Sequence, residues 1–163
     1  MSYWVGIDNG VSGSVGVLDD SGKLVEFFPT PIFRDLNYTK AKAWVNRVET
    51  KVLSAYLQIY RDDCKVLLER PLVNPGRFKA TVSALRALEA TLIVLEGNKM
   101  PYQFIDSREW QKELLPSGLE GPELKAASTQ VCKRLFPSVE IKHDGDGDSL
   151  LIAEHLRRKN VGK

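Results

Sequence analysis

Over the first 30 residues the apolar positions fall in short runs separated by turn-forming clusters. Tyr3-Trp4-Val5-Gly6-Ile7-Asp8 closes at Asn9-Gly10-Val11-Ser12-Gly13, Ser14 to Leu18 closes at Asp19-Asp20-Ser21-Gly22, and Lys23 to Phe28 is stopped by Pro29 and Pro31. Three strands joined by tight turns predict an antiparallel meander. The period then changes. Ala41, Trp44, Val45, Val48, Val52, Ala55, Tyr56 and Ile59 recur at steps of three and four, which predicts a helix with one apolar face. Cys64 to Leu68 is a compact apolar run ended by Glu69-Arg70-Pro71, suited to a fourth strand buried on both sides. A loop over 71–76 leads to a long helix from Phe78 to Leu95, ending at Gly97, and Tyr102 to Ile105 reads as a fifth strand.

Asp106 or Ser107 can cap a short helix through Leu114. Pro122 suits the first turn of a helix running to about Phe136, where Pro137 stops it. A strand-like Val139-Glu140-Ile141 precedes Asp144-Gly145-Asp146-Gly147-Asp148, and a last helix runs from about Ser149 to Arg158. The order βββ-α-β-α-β-α-α-α, without repeats or linkers, predicts one α/β domain over 1–163.

Composition adds limits. A chain of 163 residues, 43% hydrophobic, can bury a core without disulfide or metal staples. No stretch approaches the ~18 apolar residues of a membrane span, and the N-terminal residues lack the pattern of a signal peptide. Cys64 and Cys132 read as small buried hydrophobes in a reducing compartment, so a cytoplasmic protein is expected. With 23 basic and 21 acidic residues the formal charge is only +2, on its face a poor match to nucleic acid.

The candidate chemistry lies in carboxylates at element ends. Asp8 and Glu69 each terminate an apolar strand, and neighbouring first and fourth strands would project them near one place. The last helix brings Asp144, Asp146 and Asp148 from its N-terminus, where its dipole favours each surface negative charge by ~0.3–1 kcal/mol. Such a group repels itself and raises its own pKa values, a conflict that divalent cations resolve. Hard oxygen ligands select Mg²⁺ or Mn²⁺, and no cysteine or histidine pair stands at zinc spacing. Two ions ~3.5–4 Å apart can clamp a phosphodiester for hydrolysis. Taken singly, each fragment also reads as ordinary structure: Asp8-Asn9-Gly10 as a turn, Glu69-Arg70 as a strand-end ion pair, the aspartates as a helix cap. An EF-hand is excluded, because Ser149 stands at its glycine position, His155 at its closing glutamate, and Pro137 where its first helix should be.

In this order the motifs resemble those of RuvC-type Holliday junction resolvases. The resemblance rests on Gly6-Ile7-Asp8-Asn9-Gly10, Leu67-Leu68-Glu69-Arg70-Pro71, and the segment from Lys142 to Ala153, and it spans nearly the whole chain. The final segment, with Asp106 to Trp110, is most similar to the small bacteriophage and prophage members. The resemblance implies an RNase H-like fold: a mixed five-stranded sheet, first three strands antiparallel, flanked by helices. It implies a homodimeric, Mg²⁺-dependent endonuclease that nicks four-way DNA junctions symmetrically in a bacterial host cell. Carried over by position, Asp8 is the first-strand ligand bridging two ions, Glu69 the fourth-strand ligand, Asp148 the last-helix ligand and Asp144 the one before it. Asn9 replaces the proline common in bacterial members. Asp144 and Asp148 stand four apart where the family usually has three, which leaves Asp146 as an alternative ligand, direct or through water. The aromatic wedge that follows the glutamate in bacterial enzymes is replaced here by Leu72 and Val73, with Phe78 later.

Basic residues would supply the DNA surface. Arg70, Arg77, Lys79 and Arg86 follow Glu69; Arg108 and Lys112 share a helix, Lys125 and Lys133 another; Lys142 and His143 precede the aspartates; Arg157-Arg158-Lys159 close the last helix. Lys125 matches a family lysine near the active site and is a catalytic candidate. The helix from Phe78 to Leu95 has more apolar surface than one sheet face needs, consistent with a dimer seam. Three other functions compete. The ATP-binding fold of sugar kinases and actin also opens on Gly-Ile-Asp-x-Gly, but pairs two domains for which 163 residues are too few, so no nucleotide cofactor is expected. A non-cleaving junction binder would have no use for acidic groups that repel DNA. A nuclease of the same fold acting on other branched, single-stranded or hybrid nucleic acid stays open. Setting aside the five clustered acids leaves 23 basic against 16 acidic residues, +7, so near-neutrality hides a basic body around an acidic site.

Overall fold

The structure is a computed structural model that describes residues 1–161. Three strands, β1 (Tyr3–Asp8), β2 (Ser14–Leu18) and β3 (Leu24–Pro29), form the expected antiparallel meander. Its second turn is closed by the Asp19 carboxylate, which accepts from the Lys23 amide at 2.9 Å, and by Gly22 at φ +83°, a left-handed conformation that suits glycine. A two-stranded hairpin follows, β4 (Ile32–Leu36) and β5 (Trp44–Val48), then helix α1 (Thr50–Leu57) and a 3₁₀ segment, Gln58–Asp63. Strand β6 (Cys64–Glu69), helix α2 (Phe78–Gly97), strand β7 (Tyr102–Ile105) and helices α3 (Ser107–Leu114), α4 (Gly121–Leu135) and α5 (Asp148–Asn160) complete the chain.

The main sheet has the order β3-β2-β1-β6-β7, with β6 parallel to β1 and β7 parallel to β6. Alternation along the strands divides the core in two. Val5, Ile7, Val15, Val17, Val66 and Leu68 face α1 and α2, meeting Leu53, Leu57, Ala87, Val94 and Leu95. Trp4, Leu18, Leu67 and Ile105 face the other way, onto Trp110, Cys132 and the buried run from Leu150 to Leu156 of α5. Cys64 and Cys132 are both buried free thiols. Among the described residues no helix is long and apolar enough to cross a membrane.

Two expectations need correcting. The residues from 41 to 59 do not form one helix: Trp44–Val48 is a strand, and helix begins only at Thr50, capped by the Glu49 side chain. Trp44, Val45 and Val48 are too few for helical spacing to decide the element, and the decisive contact is non-local. Ile32–Leu36, hidden between prolines and turn residues, pairs with Trp44–Val48 and outweighs helical propensity there. The segment Val139-Glu140-Ile141 is not a strand; Val139 and Ile141 instead pack irregularly against the α5 side of the core.

Candidate active site

Strand register delivers the first two carboxylates. Trp4, Gly6 and Asp8 share a face of β1, and Leu67 and Glu69 share the same face of β6. Because Ile7 pairs with Leu68, Asp8 and Glu69 emerge side by side at the ends of adjacent parallel strands. That face is covered by α5. A Cβ added to Gly6 would lie 2.0 Å from the Ser149 carbonyl oxygen and 2.5 Å from the Ala153 nitrogen. One added to Gly16 would lie 2.9 Å from the Leu150 nitrogen. The helix backbone thus rests directly on the strand backbones, which sets its first turn, and Asp148, over the end of β1. Ser14 completes the seat, its hydroxyl lying 2.7 Å from Ser149 Oγ and 2.9 Å from the Asp146 carbonyl oxygen.

Asp8, Glu69 and Asp148 are each partly buried. Burial pushes Asp8 well above the usual carboxylate range, and the charges of Glu69, Asp148 and Asp146 push it further, against a lowering by Lys125. Burial raises Glu69 to about 7; the Trp110 indole, donating to Glu69 Oε2 at 2.7 Å, counters it in part. Burial also raises Asp148 to about 6, opposed by the Ser128 hydroxyl, which donates to Asp148 Oδ1, and by Lys125. Three acids drawn from water beside one another, with one lysine acting on two of them, form a site short of positive charge. Their hard oxygen donors fit Mg²⁺ or Mn²⁺. Among the described residues no three His, Cys, Asp or Glu side chains are gathered tightly enough to hold one ion as they stand. Glu69 and Asp148 are instead held by the neutral donors Trp110 and Ser128.

The remaining candidates divide. Asp146 acts on both Asp8 and Asp148, and its carboxylate also accepts from the His143 amide at 3.0 Å, closing the turn before α5. Asp144 is exposed on that turn, as are Lys142 and His143. Lys125 is exposed on α4 with its charge felt at Asp8 and Asp148. Arg70 is held by Asp106 at 3.1 Å and stacks over Phe104, while Arg77 lines a cavity of about 220 Å³ shared with Asn9, Glu69 and Asn74. Lys79, Arg108 and Lys112 are exposed on α2 and α3. Arg157 and Arg158 both bind the buried Glu154, at 2.8 and 2.6 Å, so they fasten the last helix. The loop after Glu69 is tied at Asn74 by two hydrogen bonds with Thr81, which leaves Leu72 and Val73 exposed.

Sequence reasoning did not assign Trp110, Ser128 or Ser14 these roles. Trp110 carried a signal: it is the one large aromatic in the otherwise polar segment Ser107–Leu114, and a fully buried indole needs an acceptor. Ser128 and Ser14 carried none, since their partners come from distant segments.

The order of the main sheet, its antiparallel opening and its flanking helices define an RNase H-like fold. Within that class the architecture is similar to that of RuvC. The structure of Thermus thermophilus RuvC in complex with a Holliday junction substrate matches with a TM-score of 0.65 at 18% identity, over 98% of this chain and 97% of that one. A second Thermus thermophilus RuvC structure matches with a TM-score of 0.54 at 15% identity, over 98% and 96%. No protein-family model and no curated protein sequence matches the chain.

Proposed function

We propose that the chain is a metal-dependent endodeoxyribonuclease that resolves four-way DNA junctions by paired, symmetric nicks. The observation that carries this reading is the meeting of Asp8, Glu69 and Asp148, from three separate elements, at one end of a sheet whose architecture matches RuvC end to end. Asp8, Glu69 and Asp148, with Asp144 or Asp146, hold the cation. Two Mg²⁺ or Mn²⁺ ions per site supply Lewis acidity at the scissile phosphate. The protein's own part is to position: Trp110 fixes the Glu69 carboxylate, Ser128 fixes Asp148, and Lys125 offers positive charge to the phosphate. Arg70, Arg77, Lys79, Arg108, Lys112, Lys142 and His143 form the DNA surface around them. Leu72 and Val73, exposed on the loop after Glu69, are the apolar side chains offered for parting base pairs at a crossover, as inserted leucines do elsewhere.

A homodimer supplies the second nick. The outer face of α2 exposes Phe78, Val82, Leu85 and Ile93, an apolar stripe that supports pairing of two copies. The test is a labelled synthetic four-way junction with Mg²⁺. The wild type releases two nicked, ligatable duplexes, and Asp8→Asn binds the junction without cutting it. Cutting of flaps or RNA–DNA hybrids with junctions left intact would assign the site to another substrate.

A further inference from the structure

The β4–β5 hairpin contributes only Val48 to either hydrophobic cluster and no residue to the carboxylate site. It is nevertheless uniform in character. Between Ile32 and Val48 stand Arg34, Lys40, Lys42 and Arg47 against a single acid, Asp35. That is +3 in a chain whose total is +2, so everything outside the hairpin sums to −1. The same short element exposes Ile32, Phe33, Leu36, Tyr38 and Trp44, with Tyr38 98% and Trp44 61% exposed.

The hairpin is built rather than loose. Arg34 lies over the Trp44 ring at 5.4 Å and Arg47 over Phe33 at 5.2 Å, one pair on each face of the ribbon. Arg47 is also fixed to Asp35 at 2.8 Å. The tip is closed by Asn37 N–H to the Ala43 carbonyl at 2.9 Å and by Lys42 N–H to the Thr39 carbonyl at 3.0 Å, with Lys42 itself at φ +45°. Lys40 and Lys42 have no ion-pair partner among the described residues. The base is anchored by Thr30 N–H to the Gly13 carbonyl and Glu49 N–H to the Pro31 carbonyl. Pro29 pairs with Ser14, and Ser14 with Asp8, so the hairpin leaves the sheet at the end that carries the carboxylates.

Exposed aromatics alone would suit a protein partner or DNA, and the charge decides between them. A second copy offers the hairpin another positive hairpin or the apolar stripe of α2, neither complementary to Lys40 and Lys42. A two-stranded ribbon has the width that the DNA major groove accepts, lysines meet phosphates, and stacked arginine–aromatic pairs offer flat, cationic surface to a backbone. We propose that the hairpin is a DNA arm: Arg34, Lys40 and Lys42 contact the phosphates of a duplex entering the carboxylate site, with Tyr38 at its leading edge. This rests on the reading of the protein as a DNA nuclease.

The test compares the full chain carrying Asp8→Asn, which allows binding without cutting, with the same chain carrying Arg34→Ala, Lys40→Ala and Lys42→Ala as well. Affinity for a labelled four-way junction is measured from about 50 to 200 mM salt. The arm variant binds about tenfold to a hundredfold more weakly at low salt, and the slope of log affinity against log salt falls by about 2.7, roughly 0.9 per lost phosphate contact. With Asp8 restored, the cleavage rate at saturating junction stays within about twofold of wild type, because no reacting group is touched. Should the triple variant fail to fold, Lys40→Gln with Lys42→Gln at the exposed tip must still lower the slope by about 1.8. Unchanged affinity and slope overturn the arm. So does a halved solution mass, which would give the hairpin to a second copy. Both outcomes leave junction cleavage by the wild type standing, whereas a wild type that neither binds nor cuts DNA overturns the nuclease reading and the arm together.

Discussion

At the scale of single residues, the site is defined by what its acids lack. Asp8, Glu69 and Asp148 are all raised, burial first and mutual repulsion second for Asp8. A carboxyl with a higher pKa in the native state binds protons that the unfolded chain has already released. Its stabilising effect is therefore present at low pH and is lost as pH rises through the folded value. With Glu69 at about 7 and Asp148 at about 6, the chelator-treated protein should lose melting temperature between about pH 5 and pH 8. Asp8→Asn should flatten that decline, and Mg²⁺ should raise the melting temperature more at the alkaline end; dye-monitored melting across buffers reads both. A flat profile in chelator would mean that burial does not raise these acids. Trp110→Phe keeps most of the buried ring but removes the donor to Glu69, a hydrogen bond to a charged group worth ~1.5–3 kcal/mol. We expect about tenfold slower cleavage and a higher Mg²⁺ requirement, with the fold retained by circular dichroism. A change in melting alone, with unaltered metal dependence, would reduce Trp110 to a packing residue.

At the scale of elements, what brings the acids together is the seating of α5 on β1 and β2. Gly6→Ala places a methyl group where the Ser149 carbonyl lies, so α5 must lift. Overpacking of this kind costs ~1–3 kcal/mol, and here it also carries Asp148 away from Asp8. The variant should melt several degrees lower and cut at a small fraction of the wild-type rate, whereas Gly97→Ala, with open space around it, should change neither. This scale also shows how far the sequence could be read. Strand-end positions of Asp8 and Glu69 were legible because strand parity and termination are local properties. The meander β3-β2-β1 was legible from its tight turns, whereas the parallel pairing of β6 with β1 entered only as a condition and the place of β7 at the edge is set by long-range pairing. The hairpin was not legible: Trp44, Val45 and Val48 satisfy helical spacing, and only pairing with Ile32–Leu36 makes them a strand. Nor could local pattern distinguish Asp144 from Asp146, since both alternate with glycine; the turn closed onto the His143 amide sets Asp146 toward Asp8 and leaves Asp144 in water.

At the scale of the whole molecule, charge is sorted. A formal +2 conceals an acidic site of five carboxylates, a hairpin of +3 and a remainder of +4, so the total says little about the partner. The apolar stripe of α2 belongs to this scale too. If it joins two copies, Leu85→Glu should halve a solution mass that is otherwise about twice 18.3 kDa, as read by light scattering. The monomer should then nick junctions singly and lose paired cutting. A wild type already at the monomer mass would remove the dimer.

The contact of α5 with Gly6 and Gly16 also bears on how such a chain can diverge. Where two elements interlock through side chains, a change on one can be compensated by a change on the other, and both may drift. A seat formed by main chain against main chain has no such partner, because the carbonyl of Ser149 and the nitrogen of Leu150 are the same whatever residues stand there. Drift is thereby blocked at two positions and left free around them. Gly6 and Gly16 therefore admit no side chain, while the residues around them can change as long as the two backbones still meet.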